Sequence, residues 1–207
     1  MTGFELALLW LAWALAGGSP GPATLSIAGT SMTNGRRAGV IFSAGILAGS
    51  AFWGLTAAMG MSAVMMANVW LFELVKYIGA AYLLYLAVKS LRSAFSQKRE
   101  IAKRAYGGMP RQIFTKAALI HLTNPKAILS WGAIYAITMP VNSTVFELLG
   151  MFMFLFSASI IVFVGYAFLF STARVVAIYQ RMHRVFELVF GGFFGFASIK
   201  ILTAKLP

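Results

Sequence analysis

The sequence predicts an all-α membrane protein of six transmembrane helices, arranged as two inverted three-helix repeats with the first and fourth helices broken. Three observations carry this. Hydrophobic residues fill 60% of the 207 positions and charged residues 11%, whereas soluble domains carry roughly 25% charged residues to face water. Lysine and arginine fall mostly between long apolar stretches, as they do in membrane loops. Two of those stretches, one in each half, contain a helix-breaking cluster.

A span needs about 20 mostly apolar residues to cross a hydrocarbon core of roughly 30 Å. The first stretch, about 4–28, contains Gly17-Gly18-Ser19-Pro20-Gly21-Pro22. It is expected to stay in the protein, because a signal peptide begins with basic residues and the first 35 residues contain Glu5 but no Lys or Arg. The second, about 39–66, carries Gly45 and Gly49 at the GxxxG spacing that lets helix backbones approach closely. The third, about 70–94, opens with Phe72-Glu73-Leu74-Val75, and Glu73 and Lys76 are spaced as a local pair.

The fourth stretch, about 113–139, holds His121 and Thr123-Asn124-Pro125-Lys126. The fifth covers about 145–171. The sixth, about 185–204, is the weakest; it opens with Phe186-Glu187-Leu188-Val189 and repeats the GxxxG spacing at Gly191 and Gly195. All six runs are continuously apolar without a period of two, which favours helices over a barrel. Phe-Glu-Leu also occurs at Phe4-Glu5-Leu6 and Phe146-Glu147-Leu148. Each of these glutamates is expected in a first helical turn near the interface, where the helix dipole stabilises it.

Loop charge sets the orientation. Arg36 and Arg37 lie in the first loop; Lys89, Arg92, Lys98, Arg99, Lys103, Arg104, Arg111 and Lys116 in or beside the third; Arg174, Arg181 and Arg184 in the fifth. The N-terminus and the second and fourth loops hold none, so the odd loops are expected in the cytoplasm and both termini outside, with Lys200 and Lys205 discordant. The chain divides into repeat one, about 1–95, a flexible basic cytoplasmic loop, about 96–112, and repeat two, about 113–207. Three spans per half force opposite orientations on related halves, as in many secondary transporters.

The breaks are the candidate site. Proline within a span frees backbone groups that lipid cannot satisfy, so Gly18, Ser19, Pro20, Gly21 and Pro22 are expected to unwind the first span toward a cavity. Asn124 can cap the half-helix that Pro125 begins, and such an N-terminus attracts anions. Lys126 sits mid-span, where an ammonium must pair, snorkel or face water. At 1.5 Å per residue, Pro20 lies roughly 24 Å from the outer start of its span and Pro125 roughly 18 Å from the inner start of its own. Both depths suit one cavity. His121, one turn before Pro125, is a candidate proton relay or a partner for a freed carbonyl. Trp53, Tyr82, Tyr85, Trp131 and Tyr135 are expected mainly to pack.

Other classes are poorly supplied. The +12 net charge is spread among loops rather than gathered on one face, which argues against nucleic acid as a partner. Cysteine and aspartate are absent and histidines number two, so no metal site, cofactor or enzymatic constellation is expected. Without a nucleotide-binding motif, uphill transport must draw on an ion gradient.

Taken together in order, several motifs resemble the LysE/RhtB family of bacterial amino-acid exporters. They are Ser19-Pro20-Gly21-Pro22, the Gly39…Gly45…Gly49 pattern, Val75-Lys76-Tyr77-Ile78-Gly79-Ala80-Ala81-Tyr82-Leu83-Leu84-Tyr85-Leu86 and Thr123-Asn124-Pro125-Lys126-Ala127. The resemblance implies a multi-pass exporter in the bacterial inner membrane that expels amino acids by proton antiport. It places functional weight on Pro20, Gly21, Pro22, Asn124, Pro125 and Lys126. Many members carry a polar or acidic residue in the second span, where this chain offers Ser43, Ser50, Thr56 and Ser62. That departure argues against carboxylate-based proton coupling and against a strongly cationic substrate. The expected substrate is a zwitterionic amino acid, its carboxylate near Lys126 and its ammonium at free carbonyls of Gly18 and Ser19. Lipids are the other partner, and a homodimer stays open. The alternatives are an exporter of another small solute or ion, or a non-transporting membrane scaffold.

Overall fold

The computed structural model describes residues 2–67, 69–96, 105–140 and 143–203. The described residues form seven helices: α1 (Gly3–Gly18), α2 (Pro22–Ala67), α3 (Val69–Ala94), α4 (Pro110–Leu122), α5 (Pro125–Thr138), α6 (Val145–Leu169) and α7 (Ala173–Thr203). Lys98, Arg99, Lys103, Arg104 and Lys205, and the side chains of Glu73, Lys76 and Lys200, lie outside the described residues.

The chain punctuates its helices where glycine and proline demand it. α1 ends at Gly18 and α2 begins at Pro22, leaving Ser19–Gly21 as the first break. α4 ends at Leu122 and α5 begins at Pro125, leaving Thr123 and Asn124 as the second. Each restart places proline at the first helical position, where its missing N–H costs nothing. Within α2, Gly35 takes φ +81° and divides the helix into limbs 22–34 and 36–67. That left-handed conformation suits glycine, and it shortens the expected first loop to a single residue.

Packing brings the halves together through small residues. A Cβ at Gly45 would lie 2.3 Å from the Phe114 carbonyl oxygen, and one at Gly49 would lie 2.9 Å from the His121 Cβ. α4 therefore rests directly on the 36–67 limb. A Cβ at Gly191 would lie 2.8 Å from the Leu91 side chain, so α7 and α3 approach in the same way. α1 meets α6 through indole-to-hydroxyl bonds, Trp10 Nε1 to Ser157 (2.9 Å) and Trp13 Nε1 to Ser159 (3.0 Å). Leu8, Leu11, Met153, Ile161, Leu188 and Phe196 point outward; an exposed apolar surface of this kind belongs against lipid or a partner. By length and hydropathy, Pro22–Gly60 and Val145–Leu169 each suffice to cross a membrane.

Two expectations change. The fifth loop, expected to hold Arg174, Arg181 and Arg184, is instead the first part of α7, because no glycine or proline interrupts residues 173–190. Glu187 consequently lies mid-helix and 3% exposed, not in a first turn. The matching reading does hold for Glu5 and Glu147, which form capping boxes with Thr2 and Thr144. The described end of the basic loop is anchored rather than flexible. The Tyr106 N–H donates to Thr30 Oγ1 (3.1 Å), its carbonyl accepts from Asn34 (3.1 Å), and its ring stacks on Phe42.

Candidate functional site

The two breaks meet at one cavity. Its walls come from α1 and the first break (Trp13, Gly17, Gly21), α4 and the second break (His121, Asn124), α5 (Lys126, Trp131) and α6 (Ser159, Phe163), with Ser50 from the 36–67 limb. The Trp13 and Trp131 rings, both in its lining, touch at 4.5 Å between centroids.

Each break is held by a different device. At the second, Asn124 Oδ1 accepts from the Lys126 N–H at 3.1 Å, and the Asn124 carbonyl accepts from the Ala127 N–H at 3.0 Å. The first-turn amides of α5 are thus already satisfied, so α5 offers an anion its ammonium rather than its backbone. Trp53 Nε1 donates to the Leu122 carbonyl (3.1 Å), one of the groups the break releases. At the first break Tyr166, from α6, donates its hydroxyl to the Gly18 carbonyl. Thr24 bridges the turn, donating to the Ser19 carbonyl (3.1 Å) and accepting from the Gly21 N–H (3.0 Å).

Lys126 joins the two. Its Nζ donates to the Ser19 carbonyl at 3.1 Å and to the Ser19 hydroxyl, and it sits 5.9 Å from the centre of the Phe194 ring. The side chain turns inward, toward the first break. An ammonium carries three donors; Ser19 takes two, leaving one for the cavity.

The structure therefore divides the sequence-predicted site. Gly21, His121, Asn124 and Lys126 line the cavity. Gly18 and Ser19 stand behind it, and their carbonyls, expected to be free for a substrate ammonium, are taken by Tyr166, Thr24 and Lys126. Pro20 and Pro22 shape the first turn from half-buried positions. Thr123 and Pro125 are exposed, the Thr123 hydroxyl turning back to the Leu119 carbonyl. His121 is 4% exposed and its Nδ1 has no hydrogen-bond partner among the described residues. Buried polar atoms normally find a partner, so this orphan marks room for a ligand.

Of the aromatic residues expected to pack, Tyr135 is buried and bonds the Leu148 carbonyl, while Tyr82 and Tyr85 pair with each other on α3. Trp131 both packs and lines the cavity, donating to Ser50 at 3.1 Å. Sequence reasoning missed Trp13, Ser159 and Tyr166. Their partners lie more than 140 positions away, and no local motif announces them.

Known proteins place this architecture. The family model described as LysE type translocator matches residues 15–205. The chain is 33% identical to the uncharacterized membrane protein PA4757 of Pseudomonas aeruginosa, over 90% of this chain and 89% of that protein. It is 27% identical to the uncharacterized membrane protein YahN of Escherichia coli, over 89% of this chain and 82% of that protein. No solved structure matches it. The chain belongs to the LysE type translocator family.

Proposed function

We propose that this protein is a secondary exporter of amino acids or closely related small metabolites across the bacterial cytoplasmic membrane, driven by the proton gradient. The observation that carries the reading is the cavity where the two helix breaks meet, with Lys126 the one cation and no carboxylate among its lining residues. That electrostatic pattern suits an anionic group and disfavours a substrate with a cationic side chain.

A zwitterionic amino acid fits the polar groups. Its carboxylate takes the third Lys126 proton. Its ammonium meets the unpartnered His121 Nδ1 rather than the occupied Gly18 and Ser19 carbonyls. The rings of Trp13, Trp131 and Phe163 then face an uncharged side chain.

Helix pairing supports the inverted repeat of two three-span halves. The broken helix of each half packs on the middle span of the other: α1 on α6 through Trp13 and Ser159, α4 on the 36–67 limb at Gly45 and Gly49. The third spans, α3 and α7, meet each other, with the Ser198 hydroxyl donating to the Ala80 carbonyl at 2.9 Å. In this arrangement the basic loop is cytoplasmic and both termini are outside.

Everted membrane vesicles carrying the protein test the reading against a panel of radiolabelled amino acids. Uptake of at least one neutral amino acid that rises with an imposed proton gradient is expected. Uptake equal to that of empty vesicles for every amino acid would refute it.

A further inference from the structure

A buried carboxylate stands apart from the cavity. Glu187 lies fourteen residues after Ala173, the start of α7, and is 3% exposed. Its Oε1 accepts from the Ser93 hydroxyl of α3 at 2.9 Å and lies 3.4 Å from Nε2 of His183, one turn earlier. Among the described residues, His183 is its only partner at ion-pair distance. A carboxylate removed from water, with no lysine or arginine at ion-pair distance among the described residues, is expensive to keep as a bare anion. Membrane-buried acids of this kind mark proton or ion pathways.

The surroundings are compatible with a proton and little else. On its own helix Glu187 faces His183 and Tyr179; from α6 comes Tyr166, from α3 Ser93, and from α5 Lys126, which Lys89 of α3 also influences. The 22–34 limb of α2, which packs on Tyr179 through Ala28 and Leu25, contains no ionisable side chain. A carboxylate and an imidazole in contact can hold one proton or two. A metal ion lacks ligands here, since no group of three His, Cys, Asp or Glu occurs among the described residues.

A continuous set of rings links this pair to the first break. His183 meets the edge of Tyr179, Tyr179 meets the edge of Phe170, and Phe170 stacks on Tyr166 at 5.0 Å. Tyr166 is the residue whose hydroxyl holds the Gly18 carbonyl. A change of charge at Glu187 and His183 thus bears on the ring stack that fixes the end of α1, and its field reaches Lys126.

We propose that Glu187, with His183 as its partner, is the proton-binding site of this transporter. A proton arriving from the outer side converts the Glu187 carboxylate to the carboxylic acid, and its release to the cytoplasm restores the carboxylate. The loaded and empty states shift Tyr179 and Tyr166, and through Gly18 the break that shapes the substrate cavity. The proposal rests on the reading of the chain as a proton-coupled exporter.

Proteoliposomes of wild type, Glu187→Gln and His183→Gln test it with two readouts. The first needs no substrate: infrared difference spectra on acidification show a carboxylic-acid C=O band in wild type that Glu187→Gln lacks. The second compares exchange of labelled for unlabelled neutral amino acid with accumulation driven by a pH gradient. Glu187→Gln is expected to keep exchange and lose accumulation, and His183→Gln to weaken accumulation alone. Gradient-driven accumulation by Glu187→Gln at the wild-type level, or an unchanged infrared band, overturns the proposal. So does loss of exchange together with accumulation in both variants, which places the pair in the fold instead. Wild type that neither exchanges nor accumulates any amino acid overturns the exporter reading, while the infrared band still reports on Glu187.

Discussion

The two helix breaks occupy corresponding places in the halves of the chain yet contribute opposite chemistry. The first opens over three residues, Ser19–Gly21, and presents carbonyls; those of Gly18 and Ser19 accept bonds from Tyr166, Thr24 and Lys126. The second spans two residues, satisfies its own amides through Asn124, and presents a cation. Each break has local and distant support: Thr24 and Tyr166 at the first, the Asn124 cap and Trp53 at the second. Two interruptions alike in sequence logic meet at one cavity as donor and acceptor. The lesson is that a paired break sets where polar groups gather, while the residues beside it decide what they bind.

Lys126→Ala has the largest expected effect, because it removes the group that joins the two breaks. Efflux is expected to fall to the level of vesicles without transporter, with normal amounts of protein in the membrane. Lys126→Arg, which keeps charge but changes shape and donor geometry, should recover part of it. Gly45→Ala comes next. Its Cβ would lie 2.3 Å from the Phe114 carbonyl oxygen and 2.7 Å from the Ala117 Cβ, overpacking that costs about 1–3 kcal/mol. A lowered melting temperature in detergent checks this, against Gly150→Ala, where a Cβ meets open space.

Asn124→Ala and Tyr166→Phe should have the smallest effects and separate the two kinds of support. Losing the Asn124 cap costs about 1 kcal/mol, as at other helix N-termini, and should disturb only the start of α5. Losing the Tyr166 hydroxyl removes the bond to the half-buried Gly18 carbonyl at a cost of about 1 kcal/mol, and loosens the end of α1. Hydrogen exchange distinguishes them: faster exchange in α5 for the first variant, in α1 for the second. Exchange rising in the same helix for both would show that the breaks share one support.

The breaks were legible in the sequence because proline and glycine act through the backbone, whatever surrounds them. Gly45 and Gly49 were legible too, since close helix contact needs small residues at that spacing. Asn124 capped as its position implied. What escaped was set by distant partners or by missing punctuation. The Trp13–Ser159 and Tyr166–Gly18 bonds join helices far apart in the chain. The same Phe-Glu-Leu triplet begins a helix at Phe146 and lies buried within one at Phe186. A threonine cap precedes the first copy, whereas an unbroken helical run precedes the second, moving Glu187 from interface to interior.

The central claim, that substrate occupies the cavity between the breaks, is open to a direct measurement because the chain contains no cysteine. Ser130 lines the cavity, whereas Thr123, in the second break itself, is exposed and outside the lining. The rate at which a small thiol reagent labels Ser130→Cys and Thr123→Cys in vesicles can be followed with and without an exported neutral amino acid. The amino acid is expected to slow labelling of Ser130→Cys and to leave Thr123→Cys unchanged. Equal labelling of Ser130→Cys in its presence and absence, by a variant that still transports it, would contradict the account.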